Sequence, residues 1–164
     1  MIAFAMYLFE QGADDVRLHP DGEHLKRYEM ADCLNAEGFD LQGEGTGVYR
    51  RGRETITVKC RSGLGDVVGK LNDSVVVAEC KGGVINTRHS GPVSKLRRGL
   101  CEAVGLLMAR SLEGERHVAV VPAHRVTESL GLRMLSRANK AGIEIALVEP
   151  EGNVIFLSNS APAS

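Results

Sequence analysis

Apolar and polar residues alternate strictly between positions 55 and 60, after Arg53-Glu54, with Ile56, Val58 and Cys60 on one side and Thr55, Thr57 and Lys59 on the other. A period of two predicts a half-buried strand. Further along, Val67-Val68 and Val75-Val76-Val77-Ala78 flank Asn72-Asp73. Asn and Asp tolerate positive φ, so residues 66–81 read as a β-hairpin closed by a two-residue loop. The second apolar run does not alternate, which marks a central strand buried on both faces. The period then changes to that of a helix. Val93, Leu96, Leu100, Val104 and Leu107 form one stripe over residues 92–110, with Pro92 in the first turn. Gly99 and Ala103 are small enough to let this helix approach a sheet closely. A buried strand at 117–121 follows, then a helix from its cap Thr127 to about residue 141, stopped by Gly142. Two last strands at 143–148 and 154–157 are joined by the turn Pro150-Glu-Gly-Asn153.

The amino-terminal part is less regular. Residues 2–12 suit one or two apolar helical turns ending at Gly12. Pro20-Asp21-Gly22 opens a helix over 22–37, closed by Gly38, with Leu25, Tyr28, Ala31 or Asp32, and Leu34 on one face. Residues 39–41 suit a short strand. Gly43, Gly45 and Gly47 make a flexible turn and not a phosphate loop, because no Gly-Lys-Ser/Thr follows and no helix begins there. The order predicts an α/β fold: a mixed central sheet with helices on both faces. At 164 residues a single domain over 1–158 is expected, with 159–164 a disordered tail.

The hairpin has chemical consequences. With a loop at 72–73, Leu71 faces Ser74, Lys70 faces Val75 and, counting outward, Asp66 falls opposite Glu79. Directly opposed residues share a face with their Cβ atoms about 5 Å apart. Like charges so placed repel unless one is protonated or a cation lies between them. Lys81, two residues past Glu79, takes the same face by strand alternation. Two carboxylates and an ammonium at a strand end suit a hard divalent metal beside a phosphate.

Asp66, the spacer and Glu79-Cys80-Lys81 resemble the signature of the PD-(D/E)xK phosphodiesterase superfamily, which has the restriction-endonuclease-like fold. The wording Gly-Leu-Gly-Asp-Val-Val followed by Val-Val-Val-Ala-Glu-Cys-Lys-Gly-Gly is similar to archaeal Holliday-junction resolvases and methylation-dependent restriction enzymes. Gly65 stands where many relatives have Pro. The resemblance implies Asp66, Glu79 and Lys81 as catalytic residues. Asp66, Glu79 and the main-chain carbonyl of Cys80 would be the ligands of Mg²⁺ or Mn²⁺. It also implies a core of helix, three strands, helix, strand, an order this chain supplies. Glu29 is a further candidate for approach to the metal, as a first-helix Glu does in some relatives.

Charge sharpens the expectation. The net charge is only −1. Residues 1–44 nevertheless carry −7, residues 45–100 carry +7 and residues 101–164 carry −1. The positive block holds the motif, and no acid lies between Glu79 and Glu102. Arg88, His89, Lys95, Arg97 and Arg98 are therefore candidates for gripping phosphates, with Arg50, Arg51 and Arg53 as a second basic turn. Seven aromatic residues are too few for a base-stacking platform, which favours duplex or branched DNA over single strands. His117 and His124 bracket a strand and are too far apart to share a metal. Four scattered cysteines with no Cys-x-x-Cys spacing point to neither zinc nor a disulfide framework. They read as small buried hydrophobes in a reducing compartment. The apolar start lacks a basic leader and is too short to span a bilayer, so a cytoplasmic protein without membrane contact is expected.

The sequence thus predicts a metal-dependent endonuclease acting on DNA in defence, repair or mobile-element processing. Cutting both strands calls for a homodimer or a partner subunit. The alternative is a non-catalytic nucleic-acid-binding or protein-interaction module of the same fold within a larger complex.

Overall fold

The computed structural model describes residues 1–20, 30–43, 47–59, 65–83, 85, 89–110 and 114–158. Among the described residues, four helices and the nine strands of a mixed sheet make it a mixed α/β protein. Contacts divide the chain into two compact units, Met1–Val77 and Ala78–Ser164.

In the first unit, α1 (Ile2–Glu10) buries Phe4, Ala5, Leu8 and Phe9. Gly12, at φ 97°, ends it, a backbone region that glycine enters without steric cost. Strand β1 (Asp15–Leu18) lies between two others: β4 (Glu54–Val58) runs parallel to it and β5 (Val67–Leu71) antiparallel. Two short strands, β2 (Asp40–Leu41) and β3 (Val48–Arg51), extend the unit, giving the order β2-β3-β4-β1-β5. Helix α2 (Met30–Ala36) precedes β2 and buries Met30 and Leu34. Helix α1 sits close on β5, because a Cβ on Gly69 would come within 2.9 Å of Leu8. Phe4, Leu8, Val16, Leu18, Leu34, Phe39, Ile56 and Val67 are fully buried and form the core. Each such apolar side chain contributes about 1.5–3 kcal/mol by leaving water.

Strand β6 (Ser74–Cys80) begins in this unit and ends in the next. Asn72, at φ 54°, and Asp73 are the only residues between β5 and β6, so the two-residue turn is as expected. The second unit continues with α3 (Ser90–Met108), β7 (Glu115–Pro122), α4 (Arg125–Lys140), β8 (Ile143–Val148) and β9 (Val154–Phe156), in the strand order β6-β7-β8-β9. Strands β7 and β8 are parallel, from His117↔Ile143 to Pro122↔Val148, and β9 returns antiparallel. Gly131 allows α4 to meet this sheet and α3 at once. A Cβ there would contact Leu157, Ile145 of β8 and Leu100 of α3.

Several expectations change. Strands β1 and β3 were not anticipated: Arg50 and Arg51 lie on β3, and of that basic run Arg53 alone is in a turn. Ala31 and Asp32 are exposed, so the buried face of α2 runs through Met30 and Leu34. Helix α4 is capped by His124, with Thr127 at the third helical position completing the reciprocal capping bonds. Of the cysteines only Cys80 is buried; Cys33 is half-buried, Cys101 is exposed, and Cys60 lies outside the described residues. So do Leu25, Tyr28, Glu29, Arg88, Gly45 and the expected tail at 159–164. No described helix is long and apolar enough to cross a membrane.

Gly47 is the tightest point of the first unit. It holds φ at 63°, and a Cβ there would lie 2.6 Å from the Val58 carbonyl oxygen. Both effects oppose substitution. Gly47→Ala is expected to lower stability by about 2 kcal/mol or more, read as a fall in the urea midpoint at unchanged slope. An unchanged midpoint would show that β3 and β4 do not need this close approach.

Candidate active site

The site is built in the second unit from the end of β6 upward. Val76, Val77 and Ala78 are almost wholly buried, and Glu79, the penultimate residue of the strand, is only 3% exposed. A charge there needs a partner, because desolvating an ionised carboxylate costs several kcal/mol. The partner is Arg110, just past the end of α3, whose Nη2 donates to Glu79 Oε1 at 2.5 Å. The Nε of Arg110 is buried without a partner among the described residues.

Lys81 follows two residues later. Its backbone N–H donates to the Val120 carbonyl at 2.9 Å, so β7 fixes the chain direction one residue beyond the strand end. Helix α3 crosses over this position at Gly99, where a Cβ would stand 3.1 Å from the Lys81 Cβ. The lysine stem follows the helix for one turn, and Nζ pairs with Glu102 Oε1 at 3.0 Å. Glu79 and Lys81 each have a counter-ion supplied from α3 or its end. The two pairs differ in setting, since Glu79 is buried and the Glu102 side chain is 59% exposed.

Asp66 belongs to the first unit. It is half-buried immediately before β5, and its carbonyl accepts from the His19 N–H at 2.9 Å. Cys80 is buried, as a residue of opposite side to Glu79 and Lys81 should be. His89 is the N-cap of α3 without a side-chain capping bond, and Lys95, Arg97 and Arg98 are exposed on the helix. Arg51 is committed elsewhere. It pairs with Glu54 at 2.6 Å, donates to the Glu37 carbonyl at 2.8 Å and covers the Phe39 ring at 4.5 Å. It is therefore a structural arginine and not a phosphate contact, which leaves Arg50 and Arg53 as the exposed cations of that region. His117 is fully buried against Glu115, with Nε2 and Oε2 2.9 Å apart, while His124 caps α4. Among the described residues no group of three or more His, Cys, Asp or Glu side chains could hold a metal ion.

Sequence reasoning missed Arg110 and Glu102. A buried acid at a strand end signals that some cation must reach it, but 31 residues separate Glu79 from Arg110. Glu102 carries a clearer signal, lying one helical turn beyond Gly99.

The two pairs should behave differently in double-mutant cycles. The Glu79–Arg110 cycle, using Gln at both positions, is expected to show coupling above about 1 kcal/mol, because a lone partner leaves a buried charge. The Lys81–Glu102 cycle should stay below about 1 kcal/mol, as exposed pairs do. Equal coupling in the two cycles would contradict the burial difference. No family model matches the chain, and neither a curated protein nor a solved structure matches it.

Proposed function

We propose that the chain is a metal-dependent endonuclease of restriction-endonuclease-like fold that hydrolyses DNA phosphodiester bonds. The observation that carries the reading is Glu79: an acid kept 3% exposed near the end of a buried strand, with Lys81 two residues further along the chain. Buried charge is costly, and a strand end with no chemical task has no need of it. The element order α1, β1, β5, β6, α3, β7, with β2 to β4 and α2 inserted, supports the fold assignment. The turn at 72–73 supports the count that sets Asp66 against Glu79.

In this proposal Asp66, Glu79 and the Cys80 carbonyl are the groups that would hold Mg²⁺ or Mn²⁺. They are hard oxygen donors, and Mg²⁺ takes few protein carboxylates while keeping several waters. The bound ion supplies charge neutralisation at the phosphate and a more acidic water. The remaining work falls to the protein. Arg110 keeps the Glu79 carboxylate in one orientation by binding Oε1. Lys81 presents its ammonium to the phosphate or to the attacking water. Glu102 holds that ammonium in place. His89, Lys95, Arg97 and Arg98 contact the backbone of duplex or branched DNA, and a homodimer or partner subunit supplies a second site for the other strand. Defence, repair and mobile-element processing are the settings such an enzyme serves.

One observation favours a second reading. Glu79 and Lys81 already have counter-ions, Arg110 and Glu102, which is also how structural ion pairs look. On that reading the chain is a nucleic-acid-binding or protein-interaction module of the same fold without cleavage.

Incubation with duplex, branched and single-stranded DNA decides between them. The nuclease should cut in Mg²⁺ or Mn²⁺ and stop in EDTA. Asp66→Ala and Lys81→Ala should each lose about 100-fold or more in rate. Cleavage that survives Asp66→Ala would remove this residue from the site, and binding without cleavage by the unmodified chain would establish the module.

A further inference from the structure

We infer that α4 carries a second phosphate-binding stripe, built from Arg133, Arg137 and Lys140, for the backbone of a nucleic-acid duplex. The inference rests on the reading above only in taking nucleic acid as the ligand, and it does not require cleavage.

Helices α3 and α4 pack against each other within the second unit. Their charged residues are Lys95, Arg97, Arg98 and Glu102 on α3, and Arg125, Glu128, Arg133, Arg137 and Lys140 on α4. All nine are exposed, seven cations against two acids. This layer is strongly positive although the whole chain carries −1. The buried residues of α4 are Thr127, Gly131, Leu135 and Ala138. At about 100° per residue, Arg133, Arg137 and Lys140 fall on the opposite side, within an arc of about 60°.

Among the described residues none of these three cations has an ion pair. Arg133 and Arg137 are four residues apart, where like charges weaken a helix. The carbonyl end of the helix dipole compensates Arg137 and Lys140, which lie in the last turn, but not Arg133. The stripe is about 10 Å long at 1.5 Å per residue. One strand of a duplex presents about three phosphates over that length, at 3.4 Å along the axis. A membrane surface fits less well. A helix lying on lipid needs a broad apolar face directed outward, and the apolar face of α4 is spent on the core, with only Leu132 exposed among its large hydrophobics.

The test measures binding of the full chain to a labelled duplex by fluorescence anisotropy in EDTA, over a series of KCl concentrations. For R133Q/R137Q/K140Q, with circular dichroism unchanged, the slope of log affinity against log salt should become shallower by about 2.7, or about 0.9 for each phosphate that is no longer neutralised. The charge-preserving R133K/R137K should keep the slope. An unchanged slope in the glutamine variant overturns the inference. Loss of binding to phosphatidylserine vesicles with duplex binding intact overturns it in favour of a lipid surface. An unmodified chain that binds no duplex overturns this inference together with the nucleic-acid reading, whereas binding without cleavage overturns only the catalytic assignment of Asp66, Glu79 and Lys81.

Discussion

A carboxylate at the end of a buried strand keeps its charge only if a cation comes to it, and in this protein that condition organises the whole second unit. Glu79 is desolvated by the apolar run that precedes it on β6. Arg110 offsets the cost, and it is placed by the last turn of α3. Where α3 ends depends on its apolar stripe: Leu96, Leu100, Val104 and Leu107 are buried, along with Gly99 and Ala103. Gly99 lets the helix lie close, because a Cβ there would stand 3.1 Å from the Lys81 Cβ, a tight contact. The helix that covers the strand thus also delivers both counter-ions. A shift of one turn would move Arg110 and Glu102 by about 5.4 Å and break both ion pairs.

The first unit solves a different problem. Its central strand β1 is short and must bind a parallel neighbour on one side and an antiparallel one on the other. Val16 stands between Ile56 and Gly69, and the absence of a side chain at Gly69 makes room for Leu8 of α1. Arg51 ties β3 to the Glu37 carbonyl, to Glu54 and to the Phe39 ring, so its charge is not available to a ligand. The arginines of α4 show the opposite pattern, being exposed and without ion pairs among the described residues. Runs of cations that look alike in a sequence therefore divide by what stands next to them after folding.

Much of this architecture was legible in advance, for reasons that are local. The turn at Asn72-Asp73 was readable because few residues accept φ near 54°. Helices α3 and α4 were readable because their apolar stripes repeat over many residues, although the cap of α4 moved from Thr127 to His124, whose imidazole accepts the backbone bond more often made by a hydroxyl or carboxylate. Strand β3 was hidden because Val48-Tyr-Arg-Arg51 is short and half polar, and it gains its stability from pairing with β4. Ala31 and Asp32 were placed on the buried face of α2 by counting from residues 25 and 28; the helix buries Met30 and Leu34 instead.

The sequence by itself determined the order of elements from β4 onward, the hairpin turn, the buried character of β6 and the candidacy of Asp66, Glu79 and Lys81. Each of these follows from residues within a turn or two of one another. Only the tertiary structure decided that Arg110 neutralises Glu79, that Glu102 holds Lys81, and that Arg51 is consumed by packing while Arg133, Arg137 and Lys140 remain exposed. Partners 31 residues apart meet only because a helix docks at a particular depth and rotation. That docking is set by the summed fit of many apolar side chains, a quantity that no local pattern in the chain encodes.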